Sequence, residues 1–426
     1  MKISLTRFRP SGLLAASILL AGCCEHHPIT DEPPNDVRIS PVEPGQGAPT
    51  APIRVWAVHD PLYAVSKDDD LTHEAKIIAR AIANTGFLAR IDINVTIGPI
   101  ASCEEPDVFP CMDTDEALAY IQPCPFGSNV RKGECTYQID VTEDQIVSYA
   151  ATATDSSDTS VTTQQVSFAY GMPPGGTVRP IWWHVGEPIG IDRISLGFFP
   201  DEDYQRRNIN RYPEFAMRVN DIVTDVFFYE AGLFNEVNEY PSTYTANRNY
   251  FDLWAAPFGA NVESPCHLDF AFDGDAAPAH SLLDAAAIVH LYDLDDCADI
   301  RNPGTGSVFG STVKRGWIMA HEGGHFIFGL ADEYESGGHT SCSTPTNIFL
   351  SRGDCDSYAD LPANCKQIGQ TGVWRIDDDS YELMDNEEEW EESAFRRSAV
   401  NAVANRFAEC HSGQCFDPGN PPCIGD

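Results

Sequence analysis

Basic residues are scarce in this chain. Its 426 residues include 27 Lys and Arg against 64 Asp and Glu, which gives a formal net charge of −37 at pH 7. A negative field of this size repels phosphate backbones and anionic lipid headgroups. We therefore expect no nucleic-acid partner and no electrostatic binding to a membrane, and we interpret the charge as a solvated acidic surface.

Beyond the N-terminal region, the sequence contains no stretch of about 18 apolar residues, the length that a membrane-spanning helix needs. At the N-terminus, three basic residues precede the short run SGLLAASILLAG, a pattern typical of a secretion signal. The run ends in Leu-Ala-Gly-Cys, which resembles the bacterial lipobox, so we expect Cys23 to carry the lipid. These features predict an exported lipoprotein that faces the periplasm or the cell exterior, with residues 1–23 as signal peptide and 24–50 as a disordered tether.

The chain has 14 cysteines but no CxxC spacing, which argues against a zinc ribbon or a thiol redox site. Apart from Cys23 and Cys24, twelve cysteines remain, enough for six disulfides in an oxidising compartment. Short intervals suggest local pairs, while the full connectivity stays open. These pairs are Cys103 with Cys111, Cys124 with Cys135, and Cys266 with Cys297.

The pattern of apolar and polar residues changes near residue 172. Before it, ARIDINVTIG and QIVSYAATATDSSDTSVTTQQVSFAYG alternate apolar and polar residues and are rich in Val, Thr and Tyr, which predicts β-strands. Residues 51–171 therefore resemble an immunoglobulin-like β domain. The segment MPPGG is typical of a linker, after which we predict a second domain over 172–412 and a Cys/Pro/Gly-rich tail over 413–426.

The segment HEGGH at residues 321–325 has the spacing of a catalytic metal site. On an α-helix, residues four apart lie on one face, so the imidazoles of His321 and His325 can bind one ion. Glu322 lies one step further round the same turn, where its carboxylate can take a proton from a metal-activated water and deliver it to a leaving amine. The pattern therefore predicts metal-assisted hydrolysis.

The longer string HEGGHFIFGLADEY closely resembles the HExGHxxxGLADEY signature of the bacterial IgA-peptidase family of zinc metallopeptidases. The resemblance extends from about Asp192 to the C-terminal helix. It implies one catalytic Zn²⁺ and a metallopeptidase that hydrolyses peptide bonds of extracellular or periplasmic proteins, with Glu322 as general base. The expected fold is multidomain: an N-terminal all-β immunoglobulin-like sandwich followed by an α+β zincin-like metallopeptidase domain.

A catalytic zinc normally takes three protein ligands. Gly329 can end the helix and turn the chain back toward the ion, which makes Asp332 the candidate third ligand. Metzincins place this ligand six residues after the second histidine, whereas Asp332 lies seven after His325. Glu333 and His339 therefore stay open as alternatives.

Two further residues are candidates for a supporting role. Met384 falls where a methionine-containing turn would underlie the metal in metzincins, and Tyr334 could donate a hydrogen bond to the oxyanion, as could Tyr381. Simple packing is the alternative interpretation for each. The acidic clusters at 293–296 and 377–379 offer oxygen ligands for calcium, but neither matches an EF-hand loop, so calcium is possible but unsupported.

We interpret His184, His280 and His290 as structural histidines. The competing function is a lipid-anchored surface adhesin or glycan-binding scaffold, in which the metallopeptidase-like half is structural. Glu322 argues against it, because a structural zinc would fill all four positions and need no base. Within enzymes, an amidase that acts on cell-wall peptides is a further alternative. The expected partner is a protein or peptide substrate.

Overall fold

The computed structural model describes the chain in separate stretches. These are residues 52–66, 71–102, 109–173, 175–185, 193–204, 211–228, 248–257, 285–291, 307–311, 348–349, 351–358, 365–367 and 374–376, with single residues at 279, 283 and 323. All of them belong to one unit, Ile39–Asp426. The predicted signal peptide, tether and tail lie outside the described residues.

β-Strands dominate the described residues. The strands, in chain order, are β1 Ile53–Asp60, β2 Thr72–Ala83, β3 Leu88–Ser102, β4 Pro110–Met112, β5 Leu118–Pro125, β6 Lys132–Thr142, β7 Gln145–Asp155, β8 Ser160–Thr162, β9 Val166–Phe168, β10 Arg179–His184, β11 Ile194–Pro200, β12 Phe251–Ala255, β13 Ala285–Val289, β14 Ser307–Ser311, β15 Ile348–Phe349, β16 Cys365–Gln367 and β17 Trp374–Ile376. The strands are accompanied by the α-helices α1 Tyr212–Phe227 and α2 Arg352–Tyr358. Within this part of the chain, no helix has the length and apolar character needed to cross a membrane.

Two sheets pack together in the first half of the described chain. Strands β1, β2 and β6 form an antiparallel sheet, and β3 and β7 are paired strands of the second sheet. Buried and less buried side chains alternate along β2 and the middle of β3, as in a half-buried strand, whereas most positions of β7 are buried. Their inward faces share one apolar core, which gives this half its sandwich-like arrangement.

A disulfide links the two sheets at their margin. Cys124 of β5, which pairs with β3, is bonded to Cys135 of β6. This confirms the local pair predicted from sequence. A second disulfide, Cys355–Cys365, joins α2 to β16 and was not predicted.

Strands β11, β12, β13 and β14 form the parallel part of the second sheet. β11 lies between β12 and β13 and runs parallel to both, and β13 runs parallel to β14. β12 and β13 are buried at every position, because strands covered on both faces need no polar alternation. Helix α1 buries one apolar stripe and leaves Met217 exposed. The stripe comprises Phe215, Val219, Ile222, Val223 and Val226.

The sheet is continuous across residue 172. β9 pairs antiparallel with β10, with Ser167 opposite Trp183 and Val166 opposite His184. Eleven strands are thereby joined, in the order β14-β13-β11-β12-β10-β9-β7-β3-β4, with β5 on β3 and β8 on β7. The sheet therefore contains strands from both sides of the predicted linker.

The predicted fold class is wrong. The described residues are mainly strand, and they do not form an immunoglobulin-like sandwich followed by a separate α+β zincin-like domain. Pro and Gly in MPPGG were interpreted as the end of one fold and the start of another. In the structure, Pro173, Gly175 and Gly176 lie between β9 and β10, which are hydrogen-bonded neighbours in the same sheet. The predicted domain boundaries stay a prediction.

Removing the Cys124–Cys135 disulfide should destabilise the sandwich-like half. The bond spans 11 residues, and closing a loop of that length in the unfolded chain is worth about 2–3 kcal/mol. Urea unfolding of the Cys124→Ala/Cys135→Ala variant should show this loss in the free energy of unfolding. Dithiothreitol should have little further effect on that transition in the variant. An unchanged midpoint would contradict a stabilising role.

Gly171 should tolerate substitution less well than Gly176. Both have positive φ, +85° and +79°, which costs an L-residue about 1–2 kcal/mol. A Cβ at Gly171 would also lie 2.6 Å from Glu143 Cβ, whereas a Cβ at Gly176 meets nothing within 4 Å. Gly171→Ala should therefore lower the thermal midpoint clearly more than Gly176→Ala. Equal shifts would show that the contact with Glu143 has no cost.

Candidate functional site

Most of the HEGGH motif lies outside the described residues. The other candidate residues from the sequence analysis also lie outside the described residues, so all these roles stay predictions. The residues concerned are His321, Glu322, His325, Asp332, Glu333, Tyr334, His339, Tyr381, Met384 and Cys23. Gly323 is described, and it is α-helical and buried. That conformation agrees with the helix on which the predicted spacing depends.

A buried histidine–aspartate pair lies at the carboxyl edge of the parallel strands. Pro200, the last residue of β11, is opposite Val289, the last residue of β13. The next residues, Asp201 and His290, are therefore neighbours, and His290 Nδ1 lies 3.2 Å from Asp201 Oδ2. This edge is where open parallel sheets commonly bind ligands.

His290 is held in place from several directions. The Leu291 backbone N–H donates to the same oxygen of Asp201 at 3.2 Å. The His290 carbonyl accepts hydrogen bonds from the Tyr204 hydroxyl at 3.3 Å and from Arg218 of α1 at 3.4 Å. Its Nε2 is buried and has no hydrogen-bond partner among the residues that the structure describes. A ring oriented by a carboxylate in this way can present Nε2 as a ligand or proton acceptor.

His184 and Asp252 form a second pair of the same kind. Both the Nδ1 and the backbone N–H of His184 lie 3.0 Å from Asp252 Oδ1, across the paired strands β10 and β12. The His184 side chain is 1% exposed, and its Nε2 has no hydrogen-bond partner in the described part of the chain. The residue lines a small cavity together with Trp182, Gln164 and Arg248.

Arg248 brings a positive charge to this cavity. Its guanidinium lies 5.7 Å from the ring centre of Phe228, and burial lowers its pKa to about 10. The group therefore stays protonated at neutral pH. A second cation beside it would be repelled, because Coulomb interactions are strong away from water.

His59 occupies the core without a free ring nitrogen. Its Nδ1 lies 3.0 Å from the Tyr149 hydroxyl and its Nε2 lies 3.1 Å from the Leu62 carbonyl. The ring stacks on Phe168 at 3.8 Å between centres. Burial lowers the pKa of His59 to about 3, so the ring is neutral at physiological pH and acts in packing.

The sequence analysis did not predict that His184 and His290 each pair with an aspartate. It treats both histidines as structural and names no carboxylate partner for either. One usable signal was present: Asp201 and His290 each directly follow a buried apolar strand, ISLGFFP and AAAIV. Among the described residues, no group of three or more His, Cys, Asp or Glu side chains is arranged to hold a metal ion.

Comparison with known proteins gives little similarity. No protein-family model and no curated protein matches the chain. Among solved structures, Spo0M of Bacillus subtilis is 5% identical with a TM-score of 0.19, and the match covers 29% of this chain and 51% of Spo0M. The ApaA protein of Bordetella pertussis is 12% identical with a TM-score of 0.19, covering 30% of this chain and 98% of that one.

A third structure, β-glucuronidase 2 of Bacteroides uniformis, is 11% identical with a TM-score of 0.17, covering 55% of this chain and 27% of that enzyme. The chain thus spans about half the length of Spo0M and about a quarter of the glucuronidase. Similarities this low carry no argument about fold or function. The resemblance to the IgA-peptidase family therefore rests on HEGGHFIFGLADEY and the sequence around it.

His59 should make the protein less stable in acid. Its pKa is about 3 when folded and about 6.5 when unfolded, so the unfolded chain binds the proton more tightly. The stability that this neutral ring provides is complete above pH ~6.5 and is lost as pH falls toward 3, by up to about 1.4 kcal/mol per pH unit. Urea unfolding between pH 4 and 6.5 should give a steeper pH dependence for wild type than for His59→Phe.

Tyr149→Phe is the matched control for this experiment, because it removes the hydrogen bond to His59 but keeps the titrating ring. Its pH dependence should stay close to that of wild type. If wild type and His59→Phe have the same slope, His59 does not titrate on unfolding.

Proposed function

We propose that this protein is a zinc-dependent metallopeptidase that hydrolyses peptide bonds of extracellular or periplasmic proteins. The observation that carries the proposal is the HEGGH spacing followed by FIFGLADEY. The helical, buried conformation of Gly323 supports it, because a helix brings positions 321 and 325 to one face, one turn apart.

The donor set suits zinc. His321 and His325 supply two imidazole nitrogens and Asp332 supplies a carboxylate oxygen, which together leave one position open. Glu333 and His339 are the alternative third ligands. Three protein ligands with an adjacent glutamate are typical of a catalytic zinc centre, whereas a structural centre is closed by four.

Zinc, when bound, polarises the scissile carbonyl and lowers the pKa of the attacking water toward ~7. The residues of this chain then carry the proton. Glu322 accepts it from the attacking water and delivers it to the leaving amine nitrogen. Tyr334 is the candidate donor of a hydrogen bond to the developing oxyanion, and Met384 is the candidate support beneath the ligands.

The proposed setting is outside the cytoplasm. Lipid on Cys23 would tether the protein, and its substrates would be proteins or peptides that reach the membrane surface. The disulfides Cys124–Cys135 and Cys355–Cys365 support an oxidising compartment.

A surface adhesin or glycan-binding scaffold is the second candidate. The observation in its favour is that β5 exposes Leu118, Tyr120 and Ile121, with exposed fractions of 60%, 40% and 68%. Exposed apolar side chains on one strand are typical of interaction surfaces. Binding to glycans or cells that persists after a chelator has removed all metal would favour this function.

Glu322→Ala should separate metal binding from catalysis. We expect about one zinc per full-length chain in wild type and in the variant, with cleavage of a diverse peptide library lower by about 10²–10⁴-fold in the variant. His321→Ala should lose both zinc and cleavage. Metal analysis and mass spectrometry of the cleaved library give both readouts.

Glu214→Ala is the matched control, because Glu214 is an exposed residue of α1 outside the motif. It should keep the zinc and the activity of wild type. Cleavage that survives Glu322→Ala would contradict the assigned base, and the absence of zinc from wild type would contradict the site.

A further inference from the structure

The residues around the small cavity beside His184 include three with buried polar atoms that have no hydrogen-bond partner among the described residues: Trp182 Nε1, His184 Nε2 and Gln164 Oε1. All three residues line the cavity. Trp182 and His184 are two apart on β10 and so lie on the same face of the strand. Gln164 lies two residues before β9, which pairs with β10. Neighbouring segments thus bring three unsatisfied groups to one place.

The size of the cavity restricts what it can hold. Its volume is about 20 Å³. One water molecule needs roughly 10–15 Å³ on this measure, whereas pockets for organic ligands are about 300 Å³ or larger. The space therefore suits a single water-sized guest.

The donor and acceptor roles of the three atoms specify the guest. The Trp182 indole N–H can only donate. The Asp252 carboxylate accepts from His184 Nδ1–H, and in the tautomer that carries its proton on Nδ1 the Nε2 atom is an acceptor. Gln164 Oε1 is also an acceptor. One donor and two acceptors are complementary to a molecule that accepts one hydrogen bond and donates two.

We propose that the cavity holds one internal water molecule, the shared hydrogen-bond partner of Trp182, His184 and Gln164. It accepts from the indole and donates to the imidazole and the amide, which gives it the three hydrogen bonds that are usual for buried water. The water connects β10 to the segment before β9, next to the β9–β10 pairing that continues the sheet across residue 172. This inference is independent of the proposed zinc site.

Ions fit the cavity less well. The positive charge of Arg248, which also lines it, opposes a metal ion. The lone pairs of His184 Nε2 and Gln164 Oε1 oppose an anion. A neutral guest with both hydrogens and lone pairs avoids both conflicts.

A crystal structure of the full-length protein that shows ordered solvent tests the proposal. We expect one peak within about 3.2 Å of all three atoms. An empty cavity would overturn the proposal. So would a peak with anomalous signal after a bromide soak, which would identify an anion, or a peak with metal ligand distances.

Gln164→Met gives a second test, since it removes an acceptor while keeping similar bulk. In wild type, the Trp182 indole N–H should show a nuclear Overhauser effect to long-lived water, and the variant should lose most of it and melt at a lower temperature. Gln138→Met, at an exposed position, is the matched control and should keep the signal and melt close to wild type. No signal in wild type, or the same signal in wild type and Gln164→Met, would contradict the bridge.

Discussion

Stacking of the buried His59 ring on Phe168 brings β1 and β9 together, and Trp182 of β10 lies parallel to the same ring with 6.2 Å between centres. Pairing of β9 with β10 then continues the sheet into β12, β11 and β13. The positions of Asp201 and His290 follow from this order, because they depend on the parallel register of β11 and β13. A neutral His59 is a condition of this packing, since a buried unpaired charge would be expensive.

The local features of the fold were predictable from sequence. Alternation in QIVSYAATATD indicated β7, and the short interval between Cys124 and Cys135 indicated a disulfide that is present. Each of these signals acts over one element or one short loop. The strand pairing across residue 172 has no such local signal in the sequence, because Pro and Gly mark a turn equally well within a sheet or between domains.

The same distinction applies to the candidate sites. The HEGGH spacing is readable from sequence because a helix would bring both histidines together within about one turn, so the predicted ligands are local. The His290–Asp201 and His184–Asp252 pairs join residues 89 and 68 positions apart. Only the strand order brings them into contact. Their chemistry is therefore a product of the topology, and the unsatisfied Nε2 atoms are visible only once burial and partners are known.

Zinc held by His321 and His325 is the chemical basis of the proposed activity. X-ray absorption at the zinc edge of the full-length protein tests it most directly, because it reports ligand type and distance without any substrate. The predicted spectrum shows about one zinc per chain with two imidazoles and oxygen donors at about 2.0–2.1 Å. A chain without zinc, or zinc with a sulfur shell at about 2.3 Å, would contradict the assignment.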